Sequence, residues 1–462
     1  MMSTEKTHYK QPPGPKSRIF GFDLLSQSKA DYLGHVGELK QRFGDVVMSQ
    51  VVHEKVFDIH HPDLIRELLV DNADALIRWE RGIEVFANIH GRSVLVTEGD
   101  KWKRQRRMLQ PGFSAKRMEG YCALMTTAIQ NALSSLDQTS VVNLEFNHWI
   151  HQVTMDVIFQ TLFSCADTAR RDPVIGAVAT LSSVGMQEMF LPMSAPDWMP
   201  HKSKKRCAKK VLDELIRSHI QARRAQNPTQ STQANDVLAM LLSVRDEQGD
   251  SYGLSDEEIR DQCMTIFLAG HETTALALSW WAGLIAQHPE AAQLAQAEVD
   301  SVLAGQLIQY ADVANMRYLN WTLKEALRLY PPASALMSRR TVRDVTLGDW
   351  LIPKGAMVRV TPWVVHRDAR WFVEPNRFMP ERFNEDTPLP NRNSFIPFGT
   401  GPRVCIGSHY AMTEMALIAA NMLQHFTFSS SQLPKPRLDV LLSPEGGMPL
   451  KLQRRTCQSR IV

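Results

Sequence analysis

Cys405 stands in the run Phe398-Gly399-Thr400-Gly401-Pro402-Arg403-Val404-Cys405-Ile406-Gly407, three glycines and a proline around one thiol. Such a run makes neither a regular helix nor a central strand. It describes a rigid loop whose backbone comes close to something bulky and leaves amides over. A helical pattern opens at Ser408, so the cysteine lies just ahead of the positive end of a helix dipole. Amides, dipole and Arg403 all favour thiolate over thiol. A thiolate held in this way suits a nucleophile or a soft metal ligand; the bland reading is a turn cysteine. A Cys/His hydrolase finds no support, because no partner histidine is suggested by spacing and the loop lacks a nucleophile-elbow pattern.

A second cluster, Ala269-Gly270-His271-Glu272-Thr273-Thr274, sits in the middle of the longest helical pattern. Ser255 and Glu258 have capping-box spacing at its start, and Pro289 closes it. Asp256 to Gln287 would span roughly 48 Å at 1.5 Å per residue. A bilayer crossing is disfavoured by the polar groups at its centre. The sharper reading is a core helix with a polar break facing a cavity, opened locally by Gly270 and the threonines. A kink with back-bonded threonines is the plain alternative.

Two other spacings matter. Glu325 and Arg328 lie three apart on one helix face, and Trp102 and Arg106 four apart on another, within Lys101-Trp102-Lys103-Arg104-Gln105-Arg106-Arg107. Read plainly, the first is a surface ion pair and the second a charged helix face.

These residues need a large scaffold. The 462 residues are 44% hydrophobic and 22% charged, which suits a folded globular chain with room for an internal cavity. The net charge of +3 gives no global call for nucleic acid or an anionic membrane. Six cysteines, at 122, 165, 207, 263, 405 and 457, form no Cys-x-x-Cys pair and no zinc-type cluster. They read as reduced thiols of a cytoplasmic protein. The polar run Met1–Arg18 shows neither signal peptide nor anchor. Residues 1–18 therefore read as a flexible tail and 19–462 as one mainly α domain with a small β portion.

Along that domain, β-like runs are expected at Asp45–Val52 and Val56–His60, with Asp63 capping a helix over Leu64–Val70. Helical patterns fill about 100–330, with proline breaks near 111, 173, 192–200 and 228. Strand signals return over Val342–Val360, an irregular stretch fills 366–402, and a helix covers Ser408–His425.

The Cys405 segment matches every fixed position of F-x-x-G-x-R-x-C-x-G and so resembles the cytochrome P-450 superfamily. A chance match at five fixed residues in ten is remote, and the other motifs follow in order. The resemblance implies a haem-thiolate fold with a long central distal helix, haem b held by Cys405 as axial ligand, and Phe398 packed beside the sulfur. It implies Arg403, Trp102 and Arg106, and also Arg339, as partners of the haem propionates. The stretch over the open haem face is matched by Ala269 to Thr274, in which Gly270 leaves room for dioxygen. Thr273 is then the hydroxyl that supplies protons and Glu272 the acid that resupplies it. His271 is set aside as a haem ligand, because a sixth protein ligand would block oxygen. Glu325, Arg328 and Arg382 of Pro380-Glu381-Arg382-Phe383 are implied as a buried network behind the cysteine loop, and His366 is left structural.

The expected activity is insertion of one atom of dioxygen into a lipophilic small molecule such as a fatty acid, terpenoid or xenobiotic. Phe86–Ile89 and Met186–Trp198 would supply pocket walls, or else ordinary core. Lys202–Lys210 reads as a solvated surface. The chain has no G-x-G-x-x-G after a strand. Electrons from NAD(P)H must then arrive through a separate ferredoxin or flavodoxin with its reductase. The other cations beside Arg106 would offer that partner a basic face. A monomer without stable membrane insertion is expected. The competing readings are a peroxide-using or isomerising haem enzyme of the same fold and a non-catalytic haem sensor. The Glu272-Thr273 pair argues against the first and Cys405 against the second.

Overall fold

The computed structural model describes residues 10–16, 21–136, 140–189, 191, 193–194, 196–225, 235–246, 249, 252–335, 337–387 and 389–455. Its contacts divide the chain into two compact units.

The first unit takes residues up to 80, with 333–377 and 389–405. Alternating apolar residues build a five-stranded sheet in the order Val46–Val51, Glu54–Ile59, Met357–Val360, Met337–Thr341, Leu76–Arg78. Neighbours are antiparallel except Glu54–Ile59 against Met357–Val360, which run parallel. One face packs Phe57, Ile59, Ile65, Leu68, Val358, Val360 and Ile396 into the core. Parallel register sets Asp58 beside Arg359, and the pair closes with two hydrogen bonds of 2.8 and 2.7 Å. The helix expected from Leu64, with Asp63 as its cap, starts two residues earlier. Pro62 occupies its first turn, and the cap is the His61 ring, which accepts the Asp63 N–H at 3.2 Å. That helix, Pro62–Arg66, runs into a π-helical turn, Glu67–Asp71. Residues 10–16 of the expected tail bond to this unit, and 1–9, 17 and 18 lie outside the described residues. Met48 N–H donates to Pro13 O at 2.9 Å, and Lys10 N–H to Asp349 O at 3.1 Å.

The second unit holds 81–332, 378–388 and 406–462. Helices dominate it. The central one covers Asp256–Gln287, with both capping-box hydrogen bonds present between Ser255 and Glu258. Its C-terminal half is buried on all sides, as an all-round apolar sequence requires. Trp280 stacks on Tyr330 at 4.1 Å and donates to Leu442 O, while Trp281 donates to Thr322 Oγ1. Each indole N–H thus finds an acceptor in the core. Around it lie helices Phe146–Phe163, Thr168–Met189, Ser203–Ala225, Arg317–Leu329 and Ser408–His425. Pro173 is accommodated inside Thr168–Met189 instead of breaking it. A three-stranded sheet, Val141–Glu145, Pro449–Arg454, Phe426–Ser429, completes the unit's β portion with one hairpin.

Candidate functional site

The cysteine loop belongs to the first unit. Cys405 N–H donates to Phe398 O at 2.9 Å, Val404 to Gly401 O at 3.0 Å, and Gly399 to Ile396 O at 3.0 Å. Ile396 N–H in turn donates to the buried His366 Nε2 at 2.9 Å, which gives His366 its structural role. Gly399 and Gly401 have φ of +77° and +76°, where a side chain is strained. At Gly401 a Cβ would also stand 2.1 Å from Leu69 O, in the π-helical turn. Glycine is therefore required there twice over. The closed loop presents Cys405 as an exposed side chain. Arg339 lies on Met337–Thr341, opposite Val358 and Arg78, and donates to Ser338 O at 2.8 Å. A Cβ on Gly399 would be 3.6 Å from Met337, so the loop runs beside the strand that carries Arg339.

In the second unit the central helix is unbroken. The expected opening of its ladder is absent, although both threonine hydroxyls bond back to it: Thr273 donates to Ala269 O at 2.7 Å and Thr274 to Gly270 O at 3.0 Å. From Gln262 to Ala286 every residue is buried except Ile266, Ala269, Gly270, Glu272 and Thr273. Ile266, Ala269, Gly270 and Thr273 fall at i, i+3, i+4 and i+7, so they form one accessible stripe on an otherwise enclosed helix. Glu272 points elsewhere. Its Oε2 accepts from Ser182 Oγ at 2.7 Å, and burial raises its pKa above the usual carboxylate range. Ser182, on Thr168–Met189, carried no sequence signal; a lone serine inside a helix never does.

His271 is turned inward. Its Nε2 meets His151 O at 3.0 Å, and burial lowers its pKa to about 3. Trp102 and Arg106, on helix Gly99–Leu109, line one open pocket of about 460 Å³ with Lys103, Arg107, Gln110, Pro111 and Ser114. Of the neighbouring cations, Lys101 and Lys103 are exposed, while the two arginines are tied to acidic partners. Arg107 grips Asp246 with bonds of 2.7 to 2.9 Å, and Arg104 reaches Glu258 and the Gly253 carbonyl. Glu325 and Arg328 are fully buried and doubly bonded, and Arg382 and the Met379 N–H complete the acceptor shell of Glu325.

The wall residues divide. Within Phe86–Ile89, Phe86 and Ala87 are half-buried, Asn88 is exposed and Ile89 is buried; a Cβ on Gly185 would stand 3.3 Å from Ile89, so Glu80–His90 and Thr168–Met189 pack closely. By contrast Leu191, Met193 and Trp198 are exposed and line no interior. Phe190, Pro192 and Ala195 lie outside the described residues. Lys202–Lys210 is not wholly solvated either. Lys202 and Lys205 are buried around Glu188, with Lys205 at 3.1 and 3.0 Å from its two oxygens.

A family model described as Cytochrome P450 matches residues 12–451, a stretch that runs across both units. The chain belongs to the cytochrome P450 family. Its relatives include rat cytochrome P450 4F3, 30% identical over 96% of this chain and 89% of that protein. Mouse leukotriene-B4 omega-hydroxylase 3 is 29% identical, covering 86% and 80%. The cyclooctat-9-en-7-ol 5-monooxygenase of Streptomyces melanosporofaciens is 28% identical, covering 82% and 81%. The chain is accordingly a haem-dependent monooxygenase of the mainly α P450 fold, and membership implies thiolate-bound haem iron and the use of dioxygen. The residues present fit that group. An exposed thiol stands on a glycine-locked loop, and a helix with a small-residue stripe carries a hydroxyl at its end. Among the described residues, no helix is long and apolar enough to cross a membrane.

Proposed function

We propose that this P450 oxidises a lipophilic small molecule, with Cys405 as the iron ligand, and that 19–462 acts as one haem-thiolate domain. The observation that carries the reading is the exposed Cys405 on a loop fixed by two left-handed glycines. Thiolate-ligated haem, when bound, supplies dioxygen binding and O–O cleavage. The protein supplies the rest. Phe398 packs beside the sulfur, and Trp102, Arg106, Arg339 and Arg403 neutralise the propionates. Ala269 and Gly270 keep their helix face open. Thr273 holds a proton on that face, and Glu272, its pKa raised by burial, resupplies it.

Relatives named for leukotriene B4 and cyclooctat-9-en-7-ol support a lipophilic substrate. The electron donor in this proposal is a separate ferredoxin or flavodoxin in the cytoplasm, fed by NAD(P)H through its reductase, and the enzyme acts as a monomer. Reconstitution tests the whole. Purified protein with NADPH, ferredoxin and reductase should oxidise a ligand that shifts the haem from low to high spin. Turnover with NADPH and the chain alone would overturn the separate donor. Failure of every apolar ligand to shift the spin state would overturn the substrate class.

A further inference from the structure

Glu272 stands one residue before Thr273 on the central helix, so its side chain leaves the helix about 100° round from that hydroxyl. A carboxyl so placed serves the accessible stripe only in a chosen pose, and a second helix holds it in one. Ser182 Oγ, on Thr168–Met189, donates to Glu272 Oε2 at 2.7 Å. A serine hydroxyl has one proton, and here it goes to Oε2. A proton handed on by this acid therefore rides on Oε1.

The serine is itself held in place. Gly185 lies one turn further along the same helix, and a Cβ there would stand 3.3 Å from Ile89 and 3.9 Å from Val85. Thr168–Met189 is thus seated against Glu80–His90 at the turn that follows Ser182. Few charges surround the acid. The neighbouring turns, Val178–Met186, carry none. His271, before it in the chain, is neutral and engaged with His151 O. Asp439, paired with Arg437 at 3.0 Å, adds a like charge. Burial raises the Glu272 pKa, Ser182 draws it partly back by donating to the ionised form, and Asp439 raises it again.

We propose that Ser182 is a positioning residue of the proton relay: by bonding Oε2 it ties Glu272 to Thr168–Met189 and keeps Oε1 toward Thr273. The proposal rests on the reading of Glu272 as the relay acid.

The test uses purified holoenzyme with NADPH, ferredoxin and reductase, and dodecanoic acid as the apolar probe. The rate of NADPH oxidation should fall as pH rises through the raised pKa of Glu272, because the relay needs the protonated acid. Ser182→Ala removes a donor to the ionised form, so the fall should move up by about one pH unit. Below the fall, kcat should drop about tenfold while KM for the probe stays within about twofold. Ser182→Thr, which keeps the hydroxyl, should restore both. Infrared spectra follow the acid without turnover. The protonated-carboxyl band that is lost in Glu272→Gln should titrate at higher pH in Ser182→Ala than in the parent. Should Ser182→Ala fail to fold, Ser182→Cys, a weaker donor of similar size, is read in the same way. A Ser182→Ala profile that matches the parent's, beside a slow and pH-insensitive Glu272→Gln enzyme, would overturn the proposal alone. So would a band that moves while the profile stays, since Ser182 would then be a structural contact. A Glu272→Gln enzyme with the parent's rate and profile would overturn the relay reading and this proposal with it.

Discussion

Glu325 accepts from Arg328 twice, from Nε at 2.7 Å and from a terminal nitrogen at 2.8 Å, with both side chains 0% exposed. Arg382 Nε reaches the same carboxylate at 3.0 Å. Removing one member of a buried charge network strands the others without solvent. Arg328→Ala should lose about 3–5 kcal/mol and fail to retain haem. Urea unfolding and the haem-to-protein absorbance ratio measure both. A stable, haem-loaded Arg328→Ala protein would show that the network is dispensable.

Glu272 carries opposite signs for stability and activity. Its pKa is raised by burial, so the folded chain holds that proton to a higher pH than the unfolded chain does. The contribution is complete below the usual carboxylate pKa and is lost as pH rises through the raised value. Glu272→Gln cannot ionise and escapes that loss. Its melting temperature should exceed the parent's by a margin that widens toward alkaline pH, while kcat falls about 100-fold. A margin that shrinks with pH would contradict the assignment.

His60 governs part of the acid limb. It is fully buried, neither ring nitrogen has a partner in the protein, and burial lowers its pKa to about 4, opposed by Asp58 and Asp45 and reinforced by Lys40 and Arg359. The folded chain keeps it neutral down to about 4, while the unfolded chain takes up a proton below about 6.5. Stability should therefore drop between about pH 6.5 and 4, by about 3 kcal/mol from this residue. Denaturation of His60→Leu across that range should show a correspondingly flatter slope; an unchanged slope would exclude His60.

Gly401 combines a positive φ with a carbonyl 2.1 Å from where a side chain would begin. Gly401→Ala should cost at least about 1–3 kcal/mol through backbone strain and loosen the loop around Cys405. Haem dissociation, followed by transfer to an apo-globin acceptor, should be faster than in the parent.

The sequence was most legible where local signals agree with the packing. The ends of Asp256–Gln287 follow from a capping box and a proline, and Ser408–His425 from its apolar pattern. Glu325 and Arg328 could be paired on spacing, and Arg382 joined them through resemblance. What escaped depends on distant neighbours. Arg104 and Arg107 look like a charged face until Asp246 and Glu258 arrive from far along the chain. Lys202 and Lys205 look solvated until Glu188 is folded against them. Ser182 gains meaning only through its contact with the central helix. At His61, a ring nitrogen stands in for the usual carboxylate cap, and no propensity would favour it.

The identity of the iron ligand tests the account most directly. The reduced carbonyl complex of the purified, haem-loaded chain should show the strongly red-shifted Soret band of thiolate ligation. Cys405→His should move it to the position of imidazole-ligated haem, with the other five cysteines left in place. A red-shifted band that survives the loss of Cys405, or its absence from the parent, would contradict the central claim.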